Sequence, residues 1–362
     1  MENYYYDYYN MYYDSDNYTG NWTYDPTERN PYRVEQIVFE VFLLLLILAG
    51  NVAVLAVIIV AGQKSRMHFF IKNLAVADLF CGVFYVVPRI VLQINDERFY
   101  GGDILCKLQE FLSNIGIYGS NMIMIALSID RLYILLRPLA TFATRGRNPT
   151  MIVSLCWVAA LLVSVVGPCV FTYHERYQEC KLKLNGSEKK IYFTVLFVFV
   201  FVIPTIIIAG CYSMIAFIIW NVSNKTEGFQ LTEISSPSAQ QSTLLTSRQN
   251  TSSSSSGVGQ RNSSSTLSDA KMRTIKMTFM ISVAFMCCWA PYMIFNLLDV
   301  YEHTTPSKEM NSIRIFIQSL LPLNSVANPL IYGAFSIRVC RQFRKKISRR
   351  FSTSRRTDNI FI

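Results

Sequence analysis

The sequence predicts an all-α fold, a seven-transmembrane helix bundle with a short amphipathic C-terminal helix. Three observations carry this. Of 362 residues 51% are hydrophobic and only 16% charged, against roughly 25% charged in soluble domains. Seven apolar runs each reach the roughly 20 residues needed to cross a hydrocarbon core of about 30 Å. Polar, basic or Ser-rich segments separate them, and a helix satisfies its own backbone hydrogen bonds in lipid.

The runs fall at about 34–61, 68–94, 103–136, 150–173, 190–220, 272–301 and 311–334. Residues 1–33 form an extracellular, disordered N-terminal tail without the basic start and apolar stretch of a cleavable signal. The first run then acts as an uncleaved anchor. Residues 34–347 make the seven-helix domain, and 348–362 a cytosolic tail. Within the domain, 222–270 holds 15 Ser in 49 residues; such a segment buries no core and reads as a disordered third cytosolic loop, either a plain linker or a phosphorylated regulatory one. After the seventh run, Phe335, Val339, Phe343 and Ile347 recur every four residues among basic ones. Residues 335–347 therefore read as an amphipathic helix on an anionic lipid surface, with Cys340 either palmitoylated or free.

Charge sets the orientation. Lys64 and Arg66 follow run one; Arg137, Arg145 and Arg147 follow run three; the segment 336–362 holds nine Lys or Arg against the single Asp358. The opposite side is mixed: Asp96, Glu97, Arg98 and Asp103 sum to −2. The positive-inside rule puts the C-terminus in the cytosol, and seven crossings put the N-terminus outside, in a plasma-membrane protein. The sequons at Asn17, Asn21 and Asn185 are then lumenal glycosylation candidates. Cys106 and Cys180 share the oxidising side, where a disulfide persists; closing their loop is worth at most about 4 kcal/mol. The net charge of +10 is a topology signal rather than a nucleic-acid footprint.

Polar side chains inside the runs are costly, at least about 2.5–3.5 kcal/mol for an ionised one at the bilayer centre. Asp78 is the sharpest case; Asn51, Ser120, Asn324, Ser325 and Asn328 lie at similar depth. They form either interhelical hydrogen-bond glue or a site for a small cation or a water chain. Asp130-Arg131 at the inner end of run three is either a solvated pair of little weight or an arginine released toward a partner. Pro88, Pro168, Pro204, Pro291, Pro322 and Pro329 mark kinks.

Across 34–347 the chain resembles the rhodopsin-like (class A) G-protein-coupled receptors. The residues are Gly50-Asn51, Asn73-Leu-Ala-Val-Ala-Asp78, Asp130-Arg131-Leu132, Trp157, Pro204 with Tyr212, Cys288-Trp289-Ala290-Pro291-Tyr292 and Asn328-Pro329-Leu330-Ile331-Tyr332. Met67 to Leu74, Ser128 to Arg131 and Phe316 to Ser325 are similar to the neuropeptide receptors of the vasopressin/oxytocin, neuropeptide S and crustacean cardioactive peptide group.

The resemblance implies a receptor for an extracellular neuropeptide that signals through a heterotrimeric G protein of Gq/calcium type, with receptor kinases and arrestin as further partners. It implies a pocket contacted by Arg89, Glu110, Ser113, Asn114, Tyr118, Trp289, Tyr292, Asn296, Asp299 and Gln318. It moves the cluster of Asp78, Ser120, Asn324, Ser325 and Asn328 toward an allosteric sodium site, and gives activation to Asp130, Arg131, Tyr212, Asn328, Pro329 and Tyr332. No other cofactor, no nucleic acid and no enzyme chemistry is expected.

Departures from the family pattern point further. Leu132 replaces an aromatic residue, Lys271 an acid and Asn121 an aliphatic residue, each a change expected to raise basal activity. Glu110 and Ser113 stand where vasopressin-like receptors carry Lys and Gln, reversing a charge. Residues 1–28 carry six acids, no Lys or Arg and a tyrosine cluster from Tyr4 to Tyr13, a composition that concentrates a cationic ligand or merely solubilises a tail. An opsin is excluded because residues 310–334 contain no lysine; an amine receptor would have Asp where Ser113 stands. Lipid activation, constitutive orphan activity and a membrane transporter are the competing readings.

Overall fold

The computed structural model describes residues 32–62, 65–95, 98–136, 148–176, 178–234, 259–301, 313 and 316–335, with backbone alone at 61, 222–234 and 259–271. Six helices there are long and apolar enough to cross a membrane: Arg33–Val60, Arg66–Ile94, Gly102–Leu136, Pro149–Val170, Gly186–Asn221 and Met272–Val300. Leu323–Phe335 is a further helix, shorter than these. With it the chain is a seven-helix bundle, the predicted fold.

The first span shows why the helices face as they do. Glu40, Leu43, Ile47, Asn51, Val54 and Ile58 are buried while Val34, Val38, Phe42 and Leu45 are exposed. Spacings of three and four put the first set on one helix face. Lipid solvates the exposed aliphatics, so the polar residues define the interior. The third span is the hub: it packs on the second, fourth, fifth and sixth, while the seventh packs on the first, second and sixth.

Prolines shape the spans as expected, with two devices the sequence reading did not contain. A π-helical segment, Gly82–Val86, precedes Pro88, and another, Phe197–Val202, precedes Pro204. Proline lacks an N–H and crowds the carbonyl four residues earlier; one wider turn relieves the crowding.

Residues 311–334 do not form one helix as predicted. The continuous helix starts at Leu323, and the approach to it is held by i+3 bonds: Ser319 N to Phe316 O, Leu320 N to Ile317 O and Leu323 N to Leu320 O, each 3.1 Å. Pro322 is the reason, since it donates no bond to the turn before it. Of the predicted third cytosolic loop 222–270, residues 235–258 lie outside the described residues. Helical backbone runs on to Ile234 and resumes at Gly259, because extending a formed helix adds one bond per residue fixed.

Between the fourth and fifth spans lies an unanticipated hairpin, β1 (Phe171–His174) and β2 (Glu179–Leu182), antiparallel with Tyr173 opposite Cys180. Cys180 is disulfide-bonded to Cys106, with Cα atoms 5.5 Å apart, the predicted pairing. Phe99 N donates to Gln178 O (2.6 Å), and Tyr173 N to Asp103 Oδ1 (3.2 Å). The hairpin is thus fastened over one end of the bundle. The tail residues Asn17 and Asn21, the amphipathic segment after Phe335 and Cys340 lie outside the described residues.

Candidate functional site

Three polar layers run down the bundle interior. The first lies under the hairpin. Arg89, a predicted ligand contact, is committed to a residue the sequence reading missed. Its Nε sits 3.0 Å from Oε1 of Glu40, which is 1% exposed, and it donates to the Tyr85 hydroxyl at 3.2 Å. Ser319 of the seventh span donates to the same Glu40 oxygen at 3.3 Å. One buried ion pair therefore ties the first, second and seventh spans together, beside half-buried Gln318. Its place as the lone charged residue among residues 37–60 was the available signal for Glu40.

Glu110 lies on the other side of this layer, half-buried. The Tyr118 and Tyr192 hydroxyls are within reach of its charge, and Tyr292 lies near Tyr85, Tyr118 and Tyr192. Asn114 occupies space that a side chain at Gly167 would fill: a Cβ there would stand 2.6 Å from its Nδ2. Ser113 has a different task from the one expected. Its hydroxyl sits 2.5 Å from the Phe84 carbonyl and 2.8 Å from that of Gln109. Phe84 is the residue whose carbonyl Pro88 leaves without a helical donor, so Ser113 caps a proline break. Trp289 is buried, its ring centroid 5.7 Å from Phe285 and 6.3 Å from Tyr292. Asn296 is buried with its Nδ2 on the Tyr292 carbonyl (2.7 Å), and Asp299 is buried near the same end.

The second layer is the mid-depth cluster. Asp78, 0% exposed, accepts from Ser120 Oγ (3.0 Å), Ser325 Oγ (2.9 Å) and Asn328 Nδ2 (2.9 Å). It joins the second, third and seventh spans. Asn51 Nδ2 bonds the Ser325 carbonyl at 3.0 Å, which Pro329 leaves without its helical donor. Gly50 admits that proline: a Cβ at 50 would stand 2.8 Å from Pro329 Cγ. Trp157 donates to Asn73 Oδ1 at 3.2 Å, bringing two further motif residues together. Asn324 of the seventh span is buried, and its Oδ1 has no partner among the described residues.

The third layer lies at the end away from the hairpin. Asp130 and Arg131 do not form the solvated pair that was one expectation. Both are buried; Arg131 Nη2 is 2.6 Å from Asp130 Oδ2, and Arg66 Nε is 2.6 Å from Oδ1. Asp130 thus holds two guanidiniums, the second from a residue 64 positions away. Tyr212 stacks edge-on to Phe279 at 5.2 Å, near the hydroxyls of Thr278, Ser282 and Ser128. Tyr332 meets His68 edge-on at 6.4 Å. Ser128 Oγ and Ser282 Oγ, 3.4 Å apart, link the third and sixth spans. The Lys271 side chain lies outside the described residues.

Comparison with known proteins agrees with this architecture. Residues 50–332 match the family described as 7 transmembrane receptor (rhodopsin family). Over 332 residues the chain is 33% identical to the isotocin receptor of Catostomus commersonii, covering 89% of this chain and 80% of that one. It is 32% identical to the mesotocin receptor of Rhinella marina over 330 residues, 89% and 79% of the two chains. It is also 32% identical to the oxytocin receptor of Ovis aries over 325 residues, 88% and 80%.

Proposed function

Because the chain belongs to the rhodopsin family of seven-transmembrane receptors, we propose that it is the cell-surface receptor for an extracellular neuropeptide and signals through a heterotrimeric G protein of Gq/calcium type. It is a multi-pass membrane receptor and not an enzyme. One observation carries the reading. The disulfide-fastened hairpin covers an end of the bundle where Glu110, Asn114, Tyr292 and Gln318 remain half-buried rather than sealed. That end is extracellular: a disulfide persists on the oxidising side, and the basic loops lie at the other. Asn185, exposed on the same side, is a glycosylation site there, with Asn17 and Asn21.

Activation runs downward from the peptide. An agonist acts only through tighter binding to one state than the other. The closed inner end is held by Asp130 on Arg131 and Arg66, and by the Ser128–Ser282 contact. In the signalling state Arg131 leaves Asp130, and Tyr212 and Tyr332 turn inward with the Asn328-Pro329 segment to seat a G-protein helix. The serine-rich loop after the fifth span, once phosphorylated by receptor kinases, recruits arrestin, and Cys340 anchors the tail to lipid.

The Asp78 layer suits a sodium ion, a hard cation that takes oxygen ligands. The Asp78 carboxylate, the lone pairs of the Ser120 and Ser325 hydroxyls and the unpartnered Asn324 Oδ1 would hold it in the closed state, with Asn328 alongside. Bound there, the ion supplies charge compensation for a carboxylate that lipid-depth burial otherwise penalises.

The test is a screen of small neuropeptides on transfected cells with calcium and cAMP readouts, with Arg131→Ala as control. A nanomolar response lost in the control is expected. Silence to every peptide despite surface expression would replace this reading with lipid activation or constitutive orphan activity.

A further inference from the structure

The outer layer contains three charged residues of the predicted contact set, Arg89, Glu110 and the buried Asp299, and the structure treats the first two differently. Arg89 is neutralised inside the protein: Glu40 lies 3.0 Å away, and Tyr85 offers its hydroxyl at 3.2 Å and its ring, with the guanidinium 5.6 Å from the ring centroid. An acidic group on a ligand would have to compete with a buried carboxylate already in contact. Glu110 is the opposite case. No described residue donates a hydrogen bond to its carboxylate or forms an ion pair with it. The nearest cation on its own helix, Lys107, is held by Asp103 at 2.5 Å. Lys190 of the fifth span sits 5.9 Å from the centre of the Tyr301 ring. Lys181 of the hairpin pairs with Glu179.

Leaving a carboxylate half-buried with no counter-charge is costly. Its surroundings are not random either. Tyr118 of the third span and Tyr192 of the fifth lie within reach of its charge, and Tyr292 of the sixth lies near both. A cation entering this layer can use charge-assisted hydrogen bonds to the carboxylate and the faces of tyrosine rings it meets there. A guanidinium uses both, because its plane stacks while its edge forks onto the carboxylate.

We infer that Glu110, with Tyr118, Tyr192 and Tyr292, is a subsite for a basic side chain of the ligand, arginine before lysine. The inference rests on the receptor reading above and deepens it: the activating peptide carries an arginine or lysine that fills this subsite, and it needs no acid for Arg89. Glu110 is also a specificity determinant, because it repels peptides that present an acid at that place. The acidic tail of residues 1–28 acts in the same direction, raising the local concentration of a basic peptide before it enters.

The experiment uses full-length receptor in nanodiscs, with melting temperature read against argininamide, lysinamide and citrullinamide. Wild type is expected to show a saturable rise with argininamide, a smaller one with lysinamide and none with the uncharged citrullinamide. Glu110→Gln should lose the argininamide response while Glu110→Asp keeps part of it, which separates charge loss from misfolding. In the peptide screen, exchanging the basic residue of an active peptide for citrulline should cost wild type about ten- to a hundredfold in potency and Glu110→Gln little. No argininamide shift in wild type, or an equal shift in Glu110→Gln, overturns the subsite even if a peptide activates the receptor. An argininamide shift confined to receptors with an acid at 110, in a receptor silent to all peptides, keeps the subsite and overturns the peptide reading.

Discussion

The backbone-to-backbone crossing of the second and third spans makes a quantitative prediction for Gly116→Ala. A Cβ at 116 would stand 2.6 Å from the Cys81 nitrogen, 3.0 Å from the Phe80 carbonyl carbon and 3.1 Å from Cys81 Cα. All three are backbone atoms of the second span, so no side chain can swing aside. Ordinary contact needs about 3.5 Å, so the second and third spans must part by about 0.9 Å. Of the bonds that cross that seam, two lie about one helical turn from Gly116. Ser113 to Phe84, now 2.5 Å, and Ser120 to Asp78, now 3.0 Å, would lengthen to about 3.4 and 3.9 Å, at or past the limit of a hydrogen bond. Overpacking costs about 1–3 kcal/mol and each weakened bond about 0.5–1.5. Against this, Ala in place of Gly favours the helix by about 1 kcal/mol. The net expectation is a loss of about 1–5 kcal/mol, several degrees of melting temperature, with lower surface expression. Gly210→Ala and Gly333→Ala are the controls. Both lie in helices, and a Cβ at either meets nothing within 4 Å, so only the propensity gain remains and their melting temperatures should hold or rise. Purified receptor in nanodiscs, melted with a thiol-independent dye, reads all three. A Gly116→Ala receptor as stable as the two controls would refute the claim that this crossing is set by backbone contact.

Three further perturbations follow from the same geometry. Asp78→Asn should melt close to wild type, because turning the Asn328 amide brings its unpartnered Oδ1 to the new N–H₂. It should abolish the stabilisation that sodium chloride gives over N-methylglucamine chloride; a sodium effect that survives would remove Asp78 from the cation site. Asn121 is 3% exposed, with neither side-chain polar atom partnered among the described residues. Asn121→Leu keeps the branching and removes both groups, so it should raise the melting temperature, by about 1–3 kcal/mol per relieved group at most, and lower basal inositol phosphate production; an unchanged basal signal would separate Asn121 from activation. Arg89→Gln strands Glu40 as a buried charge and should cost about 3–5 kcal/mol. The double variant Glu40→Gln with Arg89→Gln should recover most of that in a thermal melt, and no recovery would mean the pair is not the source of the loss.

Much of this arrangement was legible in the sequence because lipid removes alternatives. A polar residue in an apolar run must face protein, so Asp78, Ser120, Ser325 and Asn328 could be grouped before any coordinates. Topology alone put Cys106 and Cys180 on one side. What stayed hidden were contacts between residues far apart whose types are unremarkable singly. Arg66 read only as a topology charge, yet it grips Asp130. Ser113 read as a pocket residue because the family resemblance puts one there; that it would serve the Phe84 carbonyl follows only once the second and third spans are known to cross at Gly116. The hairpin strands have four residues each, too few for a period-two pattern to register, and are held by the disulfide and by bonds to the Phe99 amide and the Asp103 carboxylate.

The prolines explain why the polar layers lie where they do. Each one leaves a carbonyl without its helical donor four residues earlier, and at lipid depth such a group must be satisfied by protein. Two of these carbonyls are capped from a neighbouring span: Phe84 by Ser113, and Ser325 by Asn51. The caps are the same places where the spans bend, so bending and inter-span bonding are one event. Ser325 makes this plain, because its carbonyl holds the first span through Asn51 while its hydroxyl holds the second through Asp78. If the seventh span turns at Pro329 to carry Tyr332 inward, both bonds must lengthen together. Anything that stabilises the Asp78 layer, an ion included, therefore opposes the motion at the inner end. Ser319 ties the same span to Glu40 and Arg89 higher up, in the layer under the hairpin. Contact between a peptide and that upper triad would act on the hinge through one helix, without a separate relay.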